Sequence, residues 1–288
     1  MSSSGRDADL KTKYDRLFNE ALQLADLPRS QARVERLVSD EGSYVAHGGS
    51  YDTFQFQNTC VLDSLLAGIH FLDMQFPQIQ ELFLTDRTVV AVLRFMHHGE
   101  YNKAKALWLI NLSLRTGDNR NFDSQFVQIR GYPGDHLPNF SDLVWATFHY
   151  DEDRFSPRPE DPLKKITLKA FQDYGDVKLL GVQRAQLVLV YINGRMDTLP
   201  PLSVRDDRER TYTLEFLLMG EITPHDNHMV LYIKLIGRWM IFDAAATPGF
   251  QAVEWSQVAD WSKATDWSKA ATHYFPSLAA YVCKEHQE

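Results

Sequence analysis

Apolar residues recur at roughly helical spacing from Leu10 through Tyr14, Leu17, Phe18, Leu22 and Leu24, which predicts an opening helix. Residues 1–8 before it are polar and are expected to be disordered. A second helix is predicted after Pro28, carrying Val34 and Leu37 and ending near Gly42. Residues 43–56, with glycines and scattered aromatics, read as a loop that leads into an extended approach. The apolar run Val61–Phe71 predicts another helix, and two or three more are expected between Pro77 and Leu114. The second half changes character. Leu187–Ile192, Tyr212–Met219, His228–Ile236 and Arg238–Phe242 are rich in Val, Ile, Tyr, Phe and Leu and are bounded by Asn-Gly, Pro-Pro, Gly and Pro signals, so they read as strands. Gly237 between Ile236 and Trp239 predicts a tight hairpin. Helices first and strands second point to an α+β fold of two lobes. The helical lobe is assigned to residues 9–150 and the strand lobe with a C-terminal tail to 151–288, with the charged, proline-containing stretch Asp151–Pro162 as the connection.

Near the end, Ala-Asp-Trp-Ser-Lys-Ala from Ala259 is followed at once by Thr-Asp-Trp-Ser-Lys-Ala from Thr265. The repeat is too short for a solenoid and suggests a local duplication in a partly helical tail. The segment Tyr274–Val282 is expected to pack its apolar side onto the domain.

Composition narrows the picture modestly. A chain of 288 residues with 44% hydrophobic and 12% aromatic residues has material for one sizeable core or two packed lobes. The net charge of -8 argues against nucleic acid and for a neutral or basic protein surface as partner. Only two cysteines, Cys60 and Cys283, are present, which excludes a four-cysteine zinc site and argues against a disulfide scaffold; no metal or cofactor is expected. The amino terminus lacks the apolar stretch of a secretory signal, and no run approaches the roughly 20 apolar residues that span a bilayer. No membrane association and an intracellular setting, cytoplasmic or nuclear, are the expectations.

Chemistry enters at Cys60. Asn58 and Thr59 are good helix-capping residue types, so Cys60 is expected in the first turn of the following helix, where amide groups and the helix dipole favour a thiolate. In the distal half, His228 opens one strand and Asp243 ends the next. Antiparallel neighbours joined by a tight turn bring their outer ends side by side, so the two are expected to meet. A carboxylate on one imidazole nitrogen fixes the tautomer and leaves the other to take a thiol proton. His225 is the rival base, in a turn. His97 and His98 beside Gly99 read as solvated, His70 as a satisfied packing residue, and Cys283 as an inert thiol in the polar tail.

The stretch Asn58-Thr-Cys-Val-Leu-Asp-Ser-Leu-Leu66 resembles the cysteine box of the ubiquitin-specific proteases. The distal stretch, from Tyr212 through His228-Met-Val-Leu-Tyr-Ile-Lys234 to Trp239-Met-Ile-Phe-Asp243, is similar to their histidine box. The resemblance covers these two boxes, their order and their spacing. It implies a papain-like cysteine protease in which a helical lobe carries the nucleophile and packs on an antiparallel sheet lobe. Cys60 would be the nucleophile, His228 the general base and acid, and Asp243 its orienting partner. Gln55 stands where the family places an oxyanion-holding amide, with Asn58 as a further donor and Trp239 lining the substrate channel. The chain departs from the family at Gln57, Met229 and Ala244, and it lacks the cysteine pairs of the zinc fingers. With Asp63 in the box it is closer in build to short isopeptidases that act on SUMO, so the implied partner is ubiquitin or a ubiquitin-like modifier.

Three functions follow for testing. The leading one is thiol hydrolysis of the bond after the Gly-Gly tail of such a modifier. A transglutaminase-like acyl transferase shares the Cys, His, Asp order, and a modifier-binding module without turnover is the third.

Overall fold

A mostly apolar surface drives the central helix inside, where its Asp63, His70 and Asp73 find buried polar partners. The run that begins at Cys60 forms a helix over Cys60–Gln75, in which every residue from Val61 to Met74 is buried, as expected for a helix that is apolar nearly all round. The computed structural model describes residues 3–39, 44–117, 126–129, 131–140, 144–149, 167–169, 178–180, 185–193, 199–206, 208–222, 227–262 and 273–284. The chain divides into two units, Met1–Asp142 with Asp243–Phe250, and Leu143–Phe242 with Gln251–Glu288. The first boundary falls short of the expected 150/151, and an eight-residue segment that carries Asp243 returns from the strand half to the helical unit.

In the helical unit, α1 (Ser3–Gln23) begins within the stretch expected to be disordered, and α2 (Gln31–Ser39) follows Pro28 as predicted. The long interior helix is α3 (Cys60–Gln75). Three helices occupy the stretch where two or three were expected: α4 (Pro77–Phe83), α5 (Arg87–His97) and α6 (Tyr101–Thr116). Each boundary has a local cause. Phe76 is extended because it precedes a proline, and Pro77 opens α4. The Asp86 carboxylate accepts from the Thr88 and Val89 amides at the start of α5. Gly117, at φ 70, closes α6 in the left-handed region. The expected loop before α3 contains a short hairpin, β1 (Ser50–Tyr51) and β2 (Phe54–Gln57), and β2 pairs in parallel with β3 (Phe126–Gln128).

The second unit is built on a mixed, mainly antiparallel sheet. Its strands are β4 (Val144–His149), β5 (Thr167–Lys169), β6 (Lys178–Leu180), β7 (Leu187–Asn193), β8 (Ser203–Asp206), β9 (Thr211–Ile222), β10 (Asn227–Leu235), β11 (Arg238–Phe242), β12 (Phe250–Ala252) and β13 (His273–Cys283). The main path runs β12-β11-β10-β9-β13-β7-β4. The final segment is therefore no surface tail. β13 lies between β9 and β7, and Leu278–Cys283 is buried, because a nearly continuous apolar run suits a strand covered on both faces. Cys283 sits there, 2% exposed, rather than in a polar tail. Pro276, which cannot donate to a ladder, coincides with a register shift between Pro276 and Leu278. A single helix among the described residues of this unit, α7 (Trp255–Ser262), takes in part of the first copy of the duplication; the second copy and the stretch 151–162 lie outside the described residues. The whole is an α+β protein of helix and mainly antiparallel sheet.

Candidate catalytic site

Cys60 is the first residue of α3 and is half-buried. The amides of the first helical turn lack intrahelical acceptors, so the thiol stands where backbone donors converge. Thr59 occupies the capping position, but its hydroxyl does not cap. Asn58, expected to help cap, precedes it in the left-handed region at φ 56, a conformation asparagine tolerates, and turns the chain from β2 into α3. Gln55 lies on β2 between buried Phe54 and Phe56 and is exposed, on the strand face turned away from the core.

The thiol's surroundings hold a polar cluster. Asp63, one turn into α3 and fully buried, pairs through Oδ1 with Lys105 Nζ at 2.7 Å. Lys105 is itself 1% exposed and donates to the carbonyls of Ala46 and Gly48 at 2.6 and 2.8 Å. Two carbonyls thus accept from the ammonium, and the Asp63 carboxylate balances its charge at ion-pair distance. Burial pushes its pKa down, opposed by the Asp63 carboxylate. The Thr59 hydroxyl donates to Asp63 Oδ2 at 2.5 Å and accepts from the Gly48 amide at 2.6 Å. His47 Nδ1 stands 3.3 Å from that hydroxyl and 3.7 Å from Asp63 Oδ2. Gly48 and Gly49 have φ of 74 and 106, and a Cβ on Gly49 would collide with the Asn102 side chain at 2.1 Å, so the turn requires both glycines. The sequence offers one faint sign of this cluster: Lys105 is a lone charge in the apolar run from Ala104 to Ile110.

A second buried chain explains the helical histidines. The Tyr44 hydroxyl lies 3.0 Å from His70 Nδ1, His70 Nε2 3.1 Å from His97 Nδ1, and His97 Nε2 2.7 Å from Asp73 Oδ2. Arg29 Nε closes the chain on the same carboxylate oxygen at 2.8 Å. His70 is a satisfied interior residue, as expected. His97 is not solvated: it is 7% exposed, because the polar face assigned to it packs on α3, where Asp73 needs a partner. His98 is half-buried, with Nε2 2.8 Å from the Ala25 carbonyl. Burial, with His97 and the arginines adding to it, holds His70 well below the usual histidine range.

Asp243 belongs to the helical unit and His228 to the sheet unit. The predicted hairpin is present, with Ile236 and Gly237 at φ 52 and 78 in its turn. Its ladder runs from Leu235↔Arg238 to Leu231↔Phe242, so β11 stops immediately before Asp243, while β10 continues to Asn227. His228 is half-buried and lies opposite Glu221 of β9. Asp243 Oδ1 accepts from the Ala245 amide at 2.8 Å, its own amide donates to the Gly249 carbonyl, and its carbonyl accepts from Ala246. These bonds fold residues 243–249 into a tight loop. The His47 amide anchors that loop by donating to the Ala244 carbonyl at 3.0 Å. Trp239 packs on Trp255 with ring centroids 4.4 Å apart and planes tilted by 33°, and lies against the core of the sheet unit. His225 lies outside the described residues.

No protein-family model and no curated protein sequence matches the chain. Among solved structures, it is similar to a chain of the yeast SAGA DUB module with a mutant Sgf73, at a TM-score of 0.40 and 8% identity over 80% of this chain and 67% of that one. It is similar to a chain of the SAGA DUB module Ubp8/Sgf11/Sus1/Sgf73 bound to monoubiquitin, at a TM-score of 0.44 and 8% identity over 89% and 74% of the two chains. A chain of the same module bound to ubiquitin aldehyde gives a TM-score of 0.42 and 9% identity over 80% and 68%.

Proposed function

We propose that the chain is a papain-like cysteine isopeptidase of the ubiquitin-specific protease type, cutting after the C-terminal Gly-Gly of ubiquitin or a ubiquitin-like modifier such as SUMO. The observation that carries this reading is Cys60 as the half-buried first residue of an interior helix, inside the Asn-Thr-Cys box. His228 takes the thiol proton, and Asp243 orients its imidazole. The thiolate attacks the terminal glycine carbonyl, and the oxyanion is held by the Cys60 amide and the side chain of Gln55, with Asn58 as an additional donor. His228 then protonates the departing lysine amine, which leaves a thioester. Water, deprotonated by His228, attacks that thioester, and the modifier carboxylate and the Cys60 thiol are regenerated. Trp239 lines the channel for the tail, its ring held by Trp255.

Asp63 resembles the SUMO-directed box, yet its ion pair with Lys105 gives it a role inside the protein whatever the modifier. Partners are therefore modifier conjugates in the cytoplasm or nucleus. Among the described residues no helix is long and apolar enough to cross a membrane.

Fluorogenic C-terminal amides of ubiquitin, SUMO and related modifiers test the reading. Turnover of at least one, abolished by Cys60→Ala, is expected. Binding without turnover, unchanged by Cys60→Ala, contradicts hydrolysis and indicates a binding module. Incorporation of a labelled amine into a glutamine substrate indicates an acyl transferase instead.

A further inference from the structure

We infer that Lys105 is a positioning residue for the Cys60 chemistry, tying the first turn of the nucleophile helix to the segment that carries Asp243. The inference rests on the proposed thiol mechanism and deepens it. Three segments distant in sequence meet at one ammonium. Asp63 belongs to the helix that Cys60 opens, and Ala46 and Gly48 flank His47. The His47 amide in turn holds the Ala244 carbonyl, next to Asp243. The same loop is bonded to Thr59, immediately before Cys60, through the Gly48 amide.

Packing alone does not account for this arrangement. A buried lysine and carboxylate are costly to desolvate, and an apolar pair of similar volume often serves stability as well or better. What an apolar pair cannot do is fix two backbone carbonyls on either side of His47. That leaves the geometry of residues 46–48 as the property the ammonium supplies. In the proposed mechanism a misplacement of Asp243 relative to the first turn of the nucleophile helix by about 1 Å is sufficient to slow attack by about 100-fold.

The test uses the full chain and modifiers ending in a C-terminal propargyl amide. The Cys60 thiolate adds to the internal alkyne carbon, and the resulting carbanion is protonated, so a vinyl thioether forms with no leaving group. Two variants are compared, Lys105→Met and the double variant Asp63→Asn with Lys105→Met, which removes the buried charge pair together. Circular dichroism and thermal unfolding establish that each is folded. The expected result is a maximal adduct rate about 100-fold lower, at an unchanged half-saturating probe concentration. In an Asp243→Ala background the Lys105→Met change adds no further loss, because both act through one arrangement. A folded variant that reacts at the wild-type rate overturns the inference, as does a loss that multiplies in full with that of Asp243→Ala. Failure of both variants to fold also overturns it, since Lys105 would then serve folding alone. If the wild type labels with no modifier, the proposed function fails, and Lys105 is judged separately by iodoacetamide alkylation of Cys60 from pH 5 to 9. A displaced profile in the folded variants supports positioning, and an unmoved profile overturns it. Cys283 is 2% exposed, so the mass change reports Cys60.

Discussion

At the scale of single residues, side chains of one type part company according to what surrounds them. His70 and His97 lie in a buried chain that ends on Asp73 and Arg29, whereas His228 is half-buried at the start of a strand. Cys60 opens a helix and Cys283 closes an interior strand. Cys60 and His228 are singled out in the sequence by the local signals of the boxes around them, and their catalytic roles are proposals. The sequence pattern was not sufficient for His97, whose neighbours His98 and Gly99 mark a helix end and suggested solvent. For Lys105 it holds only a lone charge in an apolar run, because its partners come from residues 46, 48 and 63 and meet it only in the folded chain. Gln55 is an exposed residue of β2. Its exposed amide is assigned to the oxyanion, so Gln55→Ala is expected to lower kcat by about 10²–10³-fold with KM little changed. Steady-state kinetics on a cleaved modifier amide checks this, and a fall confined to KM would remove Gln55 from the site.

At the scale of elements, period and punctuation were legible where they were local. The helices from α3 to α6 and the strands β7, β9, β10 and β11 stand where apolar spacing and Gly or Pro signals put them. For β13 the apolar run suggests only a side packed onto the domain, and its pairing with β9 and β7 is what makes it central. The hairpin between β10 and β11 was predicted from Gly237, but its other turn residue is unusual. Ile236 holds φ 52 while 42% exposed, a conformation that costs a β-branched residue about 1–2 kcal/mol and that asparagine accepts in two-residue hairpins. Ile236→Asn is therefore expected to raise stability by about 1 kcal/mol in urea unfolding. A lower denaturation midpoint in the variant would contradict this reading of the turn.

At the scale of the whole molecule, two buried neutral histidines couple folding to pH. His136 accepts a hydrogen bond from the Trp108 indole on Nδ1 at 3.1 Å, and burial lowers its pKa to about 4. His70 is lowered in the same direction. Unfolded histidine takes up a proton below about pH 6.5 while these two resist it, so the unfolded state gains protons first as pH falls. Stability is then fully present above about pH 6.5 and is lost as pH falls below it, with the His136 share, about 3 kcal/mol, spent by about pH 4. Urea unfolding followed from pH 7.5 to 4.5 is expected to show this decline, and a flat profile would contradict the buried, neutral assignment. In the sequence the change of period is legible as a shift from helices to strands. The return of 243–250 to the helical unit is not, because it depends on Ala244 and Tyr44 contacts made far along the chain.

Cys60 is proposed as the nucleophile of an isopeptidase. Intact mass after incubation with a panel of ubiquitin-like proteins bearing a C-terminal alkyne tests that most directly. The expected result is one covalent adduct per chain with at least one modifier, absent in Cys60→Ala and strongly slowed in His228→Ala. No adduct with any modifier, or an adduct that survives Cys60→Ala, would contradict it.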